Sequence, residues 1–337
     1  MKTVAVLGAG AWGTALACHA ARLGHRTRLW AFEPEIADAV ERTRENPVFL
    51  PGVRLPDAVR ACPGLEEALA GADLVVLAAP SQHLRGLSLK AASGIGPEAV
   101  VVVAAKGIEE SSLELLSTVL GRTLPAASPG RIVFLSGPSF ASEVARGLPA
   151  NLVAASRDAA AVHKVQQALH APTFRVYASD DVVGVQVGGA LKNVIAIAAG
   201  ACDGLGLGTN ARAAIITRGL AEMTRLGVAL GAQPLTFLGL SGVGDLVLTC
   251  TGELSRNRAL GLAVARGADP KQYIAERRSV AEGFHTAAAA RALALQKGVD
   301  MPITEQVYQV LHHALPLPKA LKALMQRDFK EEFEGIR

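Results

Sequence analysis

Aromatic and charged residues are both scarce in this sequence. Phe, Trp and Tyr make up 4% of the 337 residues, and charged residues 19%, against 50% apolar. An apolar share of that size with little charge excludes disorder as a global description. With few aromatics, the cores must close on Ala, Val and Leu, which suits closely packed helices. Cysteine is rare as well. Cys18, Cys62, Cys202 and Cys250 form no CxxC pair, and no His stands at zinc-finger spacing from them. A disulfide framework and a structural zinc site are therefore both unsupported, and the thiols read as free in a reducing compartment.

Charge of one sign is also missing. Lys and Arg number 34 against 30 Asp and Glu, and no run of five or more basic residues occurs. A nucleic-acid-binding stripe is thereby excluded, while a small anionic substrate stays compatible. No uninterrupted apolar stretch reaches the ~18 residues of a membrane helix, so no membrane span is expected. Lys2 and the apolar run behind it imitate a signal peptide, but glycines interrupt that run and have a better explanation below. The expected location is the cytoplasm.

At ~150 residues per domain, the length suggests about two domains. Short apolar runs at Thr3–Leu7, Arg28–Trp30, Asp73–Ala78, Ala99–Ala104 and Arg131–Leu135 alternate with helical stretches. Strands apolar on both faces and separated by helices predict a doubly wound parallel sheet of the Rossmann type. Beyond about Val185 the texture becomes Ala- and Leu-rich at helical spacing. The expected division is a dinucleotide-binding domain over 1–185 and an all-helical substrate and catalytic domain over 186–337. The charged end, 328–337, is expected to be loosely held.

Gly8-Ala9-Gly10-Ala11-Trp12-Gly13 fits G-x-G-x-x-G. The motif follows a strand and opens a helix, the context in which it cradles a pyrophosphate. Gly8 allows the tight turn, Gly10 lets the backbone approach the anion, and Gly13 lets helix pack on strand. Glu33, 20 residues after Gly13 and next to Phe32, is placed to bond the ribose 2′-OH of NAD and to repel the 2′-phosphate of NADP. NAD is accordingly favoured over NADP.

Interconverting an alcohol and a ketone moves a proton as well as a hydride. The eight histidines are scattered, and the adjacent His312 and His313 point in different directions on a helix, so no metal site is expected. Two lysines are better placed. Lys106 follows a strand at the carboxyl edge of the sheet, where ligands bind. Lys192 interrupts an apolar helical stretch and must be paired, snorkelling or functional. Burial and a second ammonium would each lower its pKa toward working pH. Asp245 offers a carboxylate among small residues. Ser255-Arg256-Asn257 offers an anion anchor or, alternatively, a helix start capped by Ser255.

Taken together these residues resemble one family, the NAD(P)-dependent glycerol-3-phosphate dehydrogenases of the bacterial type. The resemblance runs over essentially the whole chain. It rests on GAGAWGTALA (8–17), AAKGIE (104–109), LSGPSFASE (135–143), GVQVGGALKNVIAI (184–197), TRGLAEM (217–223), GVGDLVLTCT (242–251), SRNR (255–258) and VAEGFHT (280–286). It implies reversible reduction of dihydroxyacetone phosphate to sn-glycerol 3-phosphate with NAD(P)H, feeding phospholipid synthesis, in a homodimer. Lys192 is then the catalytic acid/base, assisted by Lys106 and Asp245. The substrate site is formed by Lys106, Gly137, Ser139, Lys192, Asn193, Asp245, Thr249, Ser255, Arg256 and Asn257. The cofactor meets Gly8, Gly10, Ala11, Trp12, Gly13, Phe32, Glu33, Lys106, Ala141, Arg256, Val280 and Glu282. Ala11 replaces a Ser common in the family, and Phe32-Glu33 looks more like its NAD-using eukaryotic members. Competing readings are a sibling dehydrogenase acting on another hydroxy acid and a non-catalytic NADH sensor.

Overall fold

The strands of the first half form because their side chains can be buried on both faces. In the computed structural model, which describes residues 1–124, 131–328 and 331–332, the strands run in chain order as β1 (Thr3–Leu7), β2 (Arg26–Trp30), β3 (Glu45–Asn46), β4 (Leu50–Arg54), β5 (Val59–Cys62), β6 (Leu74–Leu77), β7 (Val100–Val103), β8 (Ile132–Ser136), β9 (Ala150–Ala155) and β10 (Phe174–Ser179). Every residue of β6 and β7 is buried. Eight of the strands form one sheet in the order β10-β9-β8-β7-β6-β1-β2-β5, and β3 pairs with β4 apart from it.

The sheet departs from the expected all-parallel form at one place. β8 and β9 pair antiparallel, so β9 and β10 run against the other six strands. The connection between them carries only the five-residue helix Ala141–Ala145 and reverses the chain rather than crossing over. The chain passes from β1 outward to β2 and β5, then returns to β6 on the other side of β1. That makes the carboxyl ends of β1 and β6 the switch point of the sheet, where open α/β sheets bind ligands.

The chain divides into two compact units, Met1–Ala105 with Leu116–Val182, and Lys106–Leu115 with Val183–Arg337. Lys106–Leu115 thus groups with the second unit, a departure from a simple linear division. The cause is local: Ile108 is fully buried in the helical core, and Leu113 and Leu115 pack against that core. The second unit is helical, built around Val182–Gly204 with Gly208–Ala229, Gly283–Lys297 and Pro302–His313 among the longer helices. Val182–Gly204 is the one helix among the described residues long and apolar enough to cross a membrane, and 83% of its most apolar window is buried inside the protein. It is a core helix. Most of the charged end, 328–337, lies outside the described residues.

Candidate active site

In the first unit the glycine loop follows β1 and opens the helix Ala11–Arg22. Gly8 takes φ +118°, and a Cβ there would stand 2.7 Å from Ala79 N, beyond the end of β6. A Cβ on Gly13 would lie 1.9 Å from the Gly8 carbonyl oxygen, whereas one on Gly10 would meet nothing within 4 Å. Two glycines thus close the turn, and the third faces open space. Gly10 caps the helix without a side-chain hydrogen bond, and the first turn holds no acidic residue. The free N–H groups and the dipole of that helix end suit an anion. The indole Nε1 of Trp12, on that turn, is buried without a partner among the described residues. A dinucleotide pyrophosphate fits this loop.

Beyond β2, Phe32 is 74% exposed, and Glu33 is half-buried at the start of the helix Pro34–Thr43. The Glu33 side chain does not cap that helix. Gly137, Ser139 and Ala141 follow β8 in the same unit; Gly137 adopts φ +133°, and Ser139 Oγ donates to its carbonyl at 2.9 Å.

The lysines assemble in the second unit. Lys192 Nζ donates to Asp245 Oδ1 at 2.5 Å and to Thr249 Oγ1 at 2.9 Å. Lys106 Nζ donates to the other carboxylate oxygen, Asp245 Oδ2, at 2.7 Å. Lys192 is 7% exposed and Asp245 1%, so Lys192 is a paired, buried ammonium rather than a snorkelling one. Thr249 Oγ1 in turn donates to the Asp245 carbonyl at 2.6 Å, one turn back on the helix Asp245–Thr251. Asp245 comes within reach because a Cβ on Gly188 would stand 2.3 Å from the Ser241 carbonyl oxygen. Only glycine there lets the backbone of the preceding wide turn, Leu240–Gly244, lie against the lysine helix.

Two ammoniums share one carboxylate, so the cluster keeps a positive charge. Burial pushes the Lys192 pKa down to about 8; Asp245 opposes that fall and Lys106 reinforces it. Burial alone would push the Asp245 carboxyl up, but Lys106 and Lys192 outweigh it and hold it below its usual range. A buried ammonium with a pKa near working pH is a usable proton donor, and its conjugate amine a usable base.

The anchor residues divide in role. Ser255 Oγ accepts from Arg258 N at 3.2 Å, capping the helix Arg256–Ala265. Arg256, on the first turn, is exposed; it forms no hydrogen bond or close ion pair among the described residues, and the charge that bears on it is the Glu282 carboxylate. Asn257 is buried, accepts from Gly283 N at 2.9 Å and donates to Asn193 Oδ1 at 2.9 Å. Among the described residues one N–H of its amide is left over. This chain of amides ties the lysine helix to the start of Gly283–Lys297, whose preceding residues are the half-buried Val280 and Glu282. No group of three or more His, Cys, Asp or Glu side chains is gathered as metal ligands would be among the described residues.

Sequence reasoning missed two residues. Asn46 is fully buried beside the glycine loop, and Glu222, 1% exposed, accepts from the first turn of Pro302–His313. Asn46 lies in none of the motifs quoted above, and Glu222, though within TRGLAEM (217–223), has no spacing that assigns it a role.

Comparison with known proteins places this geometry in a family. The profile for the NAD-dependent glycerol-3-phosphate dehydrogenase N-terminus matches residues 3–162, and that for the C-terminus matches 181–322. A relative from Geobacter metallireducens, named glycerol-3-phosphate dehydrogenase [NAD(P)+], is 53% identical over 331 residues, covering 98% of this chain and 99% of its own. The crystal structure of glycerol-3-phosphate dehydrogenase from Coxiella burnetii superposes with a TM-score of 0.92 at 38% identity, covering 97% and 99% of the two chains. The yeast enzyme from Saccharomyces cerevisiae gives 0.80 at 28% identity, covering 97% and 99%. With both halves matched and its lysines gathered on one buried carboxylate, the chain belongs to the NAD-dependent glycerol-3-phosphate dehydrogenase family.

Proposed function

We propose that the chain catalyses the reversible reduction of dihydroxyacetone phosphate to sn-glycerol 3-phosphate with NAD(P)H, supplying phospholipid synthesis. The observation that carries this reading is the pair of lysines bridged by Asp245. The bound nicotinamide nucleotide supplies the hydride, and the glycine loop with Trp12 would hold its pyrophosphate. Everything else in the step falls to the chain. As negative charge develops on the C2 oxygen of the substrate, Lys192 Nζ gives it a proton and is left as the amine. Lys106 adds positive potential at that oxygen in a setting of low dielectric. Asp245, held by both ammoniums, orients them, and Thr249 fixes Lys192 from a second side. In the oxidative direction the Lys192 amine takes the proton back.

Arg256, with the leftover N–H of Asn257, would hold the phosphate; Gly137 and Ser139 would add to substrate binding. Binding energy from the phosphate is remote from C2 and serves to align it. Phe32 and Glu33 would hold the adenosine end, with Glu33 favouring NAD over NADP. Ala141, Val280 and Glu282 would complete the cofactor contacts. The cytoplasm is the proposed location and a homodimer the proposed assembly. The exposed Leu235, Leu238 and Leu254 of the second unit support the latter, and sedimentation of the purified protein tests it.

The test of the activity is NADH oxidation with dihydroxyacetone phosphate, run beside NADPH and beside unphosphorylated dihydroxyacetone. Turnover that requires the phosphate is expected. NADH binding without turnover would favour a sibling dehydrogenase or a sensor.

A further inference from the structure

We propose that Asn46 is a positioning residue for the nucleotide: it fixes the peptide of the glycine loop that presents Gly10 N–H to the pyrophosphate. This rests on the reading of that loop as the nucleotide site. Asn46 has no solvent exposure. Its Nδ2 donates to the Ala9 carbonyl oxygen at 2.8 Å and to Thr14 Oγ1 at 2.9 Å, and its Oδ1 accepts from Phe49 N at 3.0 Å. Thr14 Oγ1 also donates to the Ala9 oxygen, at 3.2 Å. Two side chains therefore converge on a single carbonyl in the middle of G-x-G-x-x-G.

The consequence follows from peptide geometry. The Ala9–Gly10 peptide is trans, so the Ala9 C=O and the Gly10 N–H point in opposite directions across a planar unit. Drawing the oxygen inward to Asn46 turns the Gly10 N–H away from the interior, at the one loop glycine that faces open space. Gly10 also has a softer backbone than its Ala neighbours, and without an anchor that peptide could rotate. The β3–β4 pairing shifts register between Glu45 and Asn46, an irregularity of the kind that re-aims a side chain. The amide has no spare capacity for a ligand on its donor side, since both N–H groups are committed within the protein.

The experiment is titration of NADH by its fluorescence, and of ADP-ribose and adenosine by calorimetry, with Asn46→Ala and Asn46→Asp. Losing a buried hydrogen bond of this type is expected to weaken NADH and ADP-ribose about tenfold or more, with adenosine changed about twofold at most. Asn46→Asp keeps the acceptor for Phe49 N but sets a carboxylate oxygen against the Ala9 oxygen, and its loss should be the larger. At saturating NADH, the KM for dihydroxyacetone phosphate should stay within about twofold of wild type. If either variant fails to fold, Thr14→Val removes the second donor to the same oxygen and should weaken NADH about threefold. Wild-type affinity for NADH in the folded variants, or equal losses for adenosine and ADP-ribose, would overturn the proposal. Failure of the wild-type protein to bind NADH would instead overturn the nucleotide reading itself.

Discussion

Lys106 reaches Asp245 at 2.7 Å because Ile108, two residues further along, is buried in the helical core. The segment that leaves β7 is thus committed to the second unit, and with it goes the ammonium. Asp245 receives Lys106 on one oxygen and Lys192 on the other, so three ionisable groups distant in sequence form one electrostatic unit. A buried carboxylate with two cationic partners is satisfied in both charge and hydrogen bonds. Removing either lysine changes the behaviour of the other two groups.

The first expected outcome concerns Lys192 and pH. In the proposed role of proton donor it must be charged, and its pKa is pushed down to about 8. In the reductive direction kcat/KM should be level below that pH and then fall about tenfold per pH unit above it. Lys106→Met removes a like charge that lowers the Lys192 pKa, so the alkaline limb of this variant should move to higher pH. Lys192→Ala should retain its fold and NADH affinity while losing about a thousandfold or more in kcat. A rate profile checks the first pair, and near-normal turnover of Lys192→Ala would remove it from the mechanism.

Arg256→Ala addresses the phosphate. A guanidinium at a helix start, with no hydrogen bond or close ion pair among the described residues, suits an anionic ligand. The KM for dihydroxyacetone phosphate should rise about a hundredfold, with a smaller fall in kcat. Any residual turnover of unphosphorylated dihydroxyacetone should be the same in this variant as in the wild type. An unchanged KM for the phosphorylated substrate would count against anchoring by Arg256.

How much of this the sequence disclosed depends on which residues carried a local signal. Val100–Val103 and Leu74–Leu77 announce buried strands by composition alone, and G-x-G-x-x-G announces its own turn. The reversal of β9 does not show, because antiparallel pairing is set by how a short connection packs rather than by the strand's own residues. β5 contains an Arg and lies at the sheet edge, where one exposed face blurs the apolar run. At the site, Lys192 stands out as a charge inside an apolar helix, yet its burial and its partner are tertiary facts. Ser255-Arg256-Asn257 supports two readings in sequence; in the structure Ser255 caps, Arg256 stays open and Asn257 is largely consumed by packing. Asn46 has no local signal, since a lone Asn before a proline is indistinguishable from a turn residue.

Glu33 governs the choice between NAD and NADP in this reading. A carboxylate facing the ribose accepts a hydrogen bond from the 2′-OH and repels a 2′-phosphate. Glu33→Gln should narrow the preference for NADH over NADPH by about tenfold or more, chiefly by lowering the KM for NADPH. Raising the salt concentration should narrow the wild-type preference in the same direction. Equal use of the two cofactors by the wild-type protein would show that Glu33 does not face the ribose.

Glu222 ties stability to pH through a different part of the second unit. Its carboxylate accepts from Ile303 N at 2.5 Å, Thr304 N at 3.1 Å and Thr304 Oγ1 at 3.0 Å, capping a helix whose own N-cap residue, Met301, offers no side-chain bond. Burial nonetheless pushes its pKa up to about 7, the hydrogen bonds and Arg225 only partly opposing it. A folded-state pKa above the unfolded one means that the native protein holds the proton more tightly. The resulting stabilisation is fully present below the unfolded carboxyl pKa and is lost as pH rises through about 7. Glu222 should therefore contribute a fall in stability between acid and neutral pH, worth about 3 kcal/mol in all. Glu222→Gln keeps an acceptor for the helix end but cannot ionise, so its Tm should be flatter over that range. Thermal denaturation of both proteins across the range decides the matter: parallel curves would mean that Glu222 keeps an ordinary pKa in the folded protein.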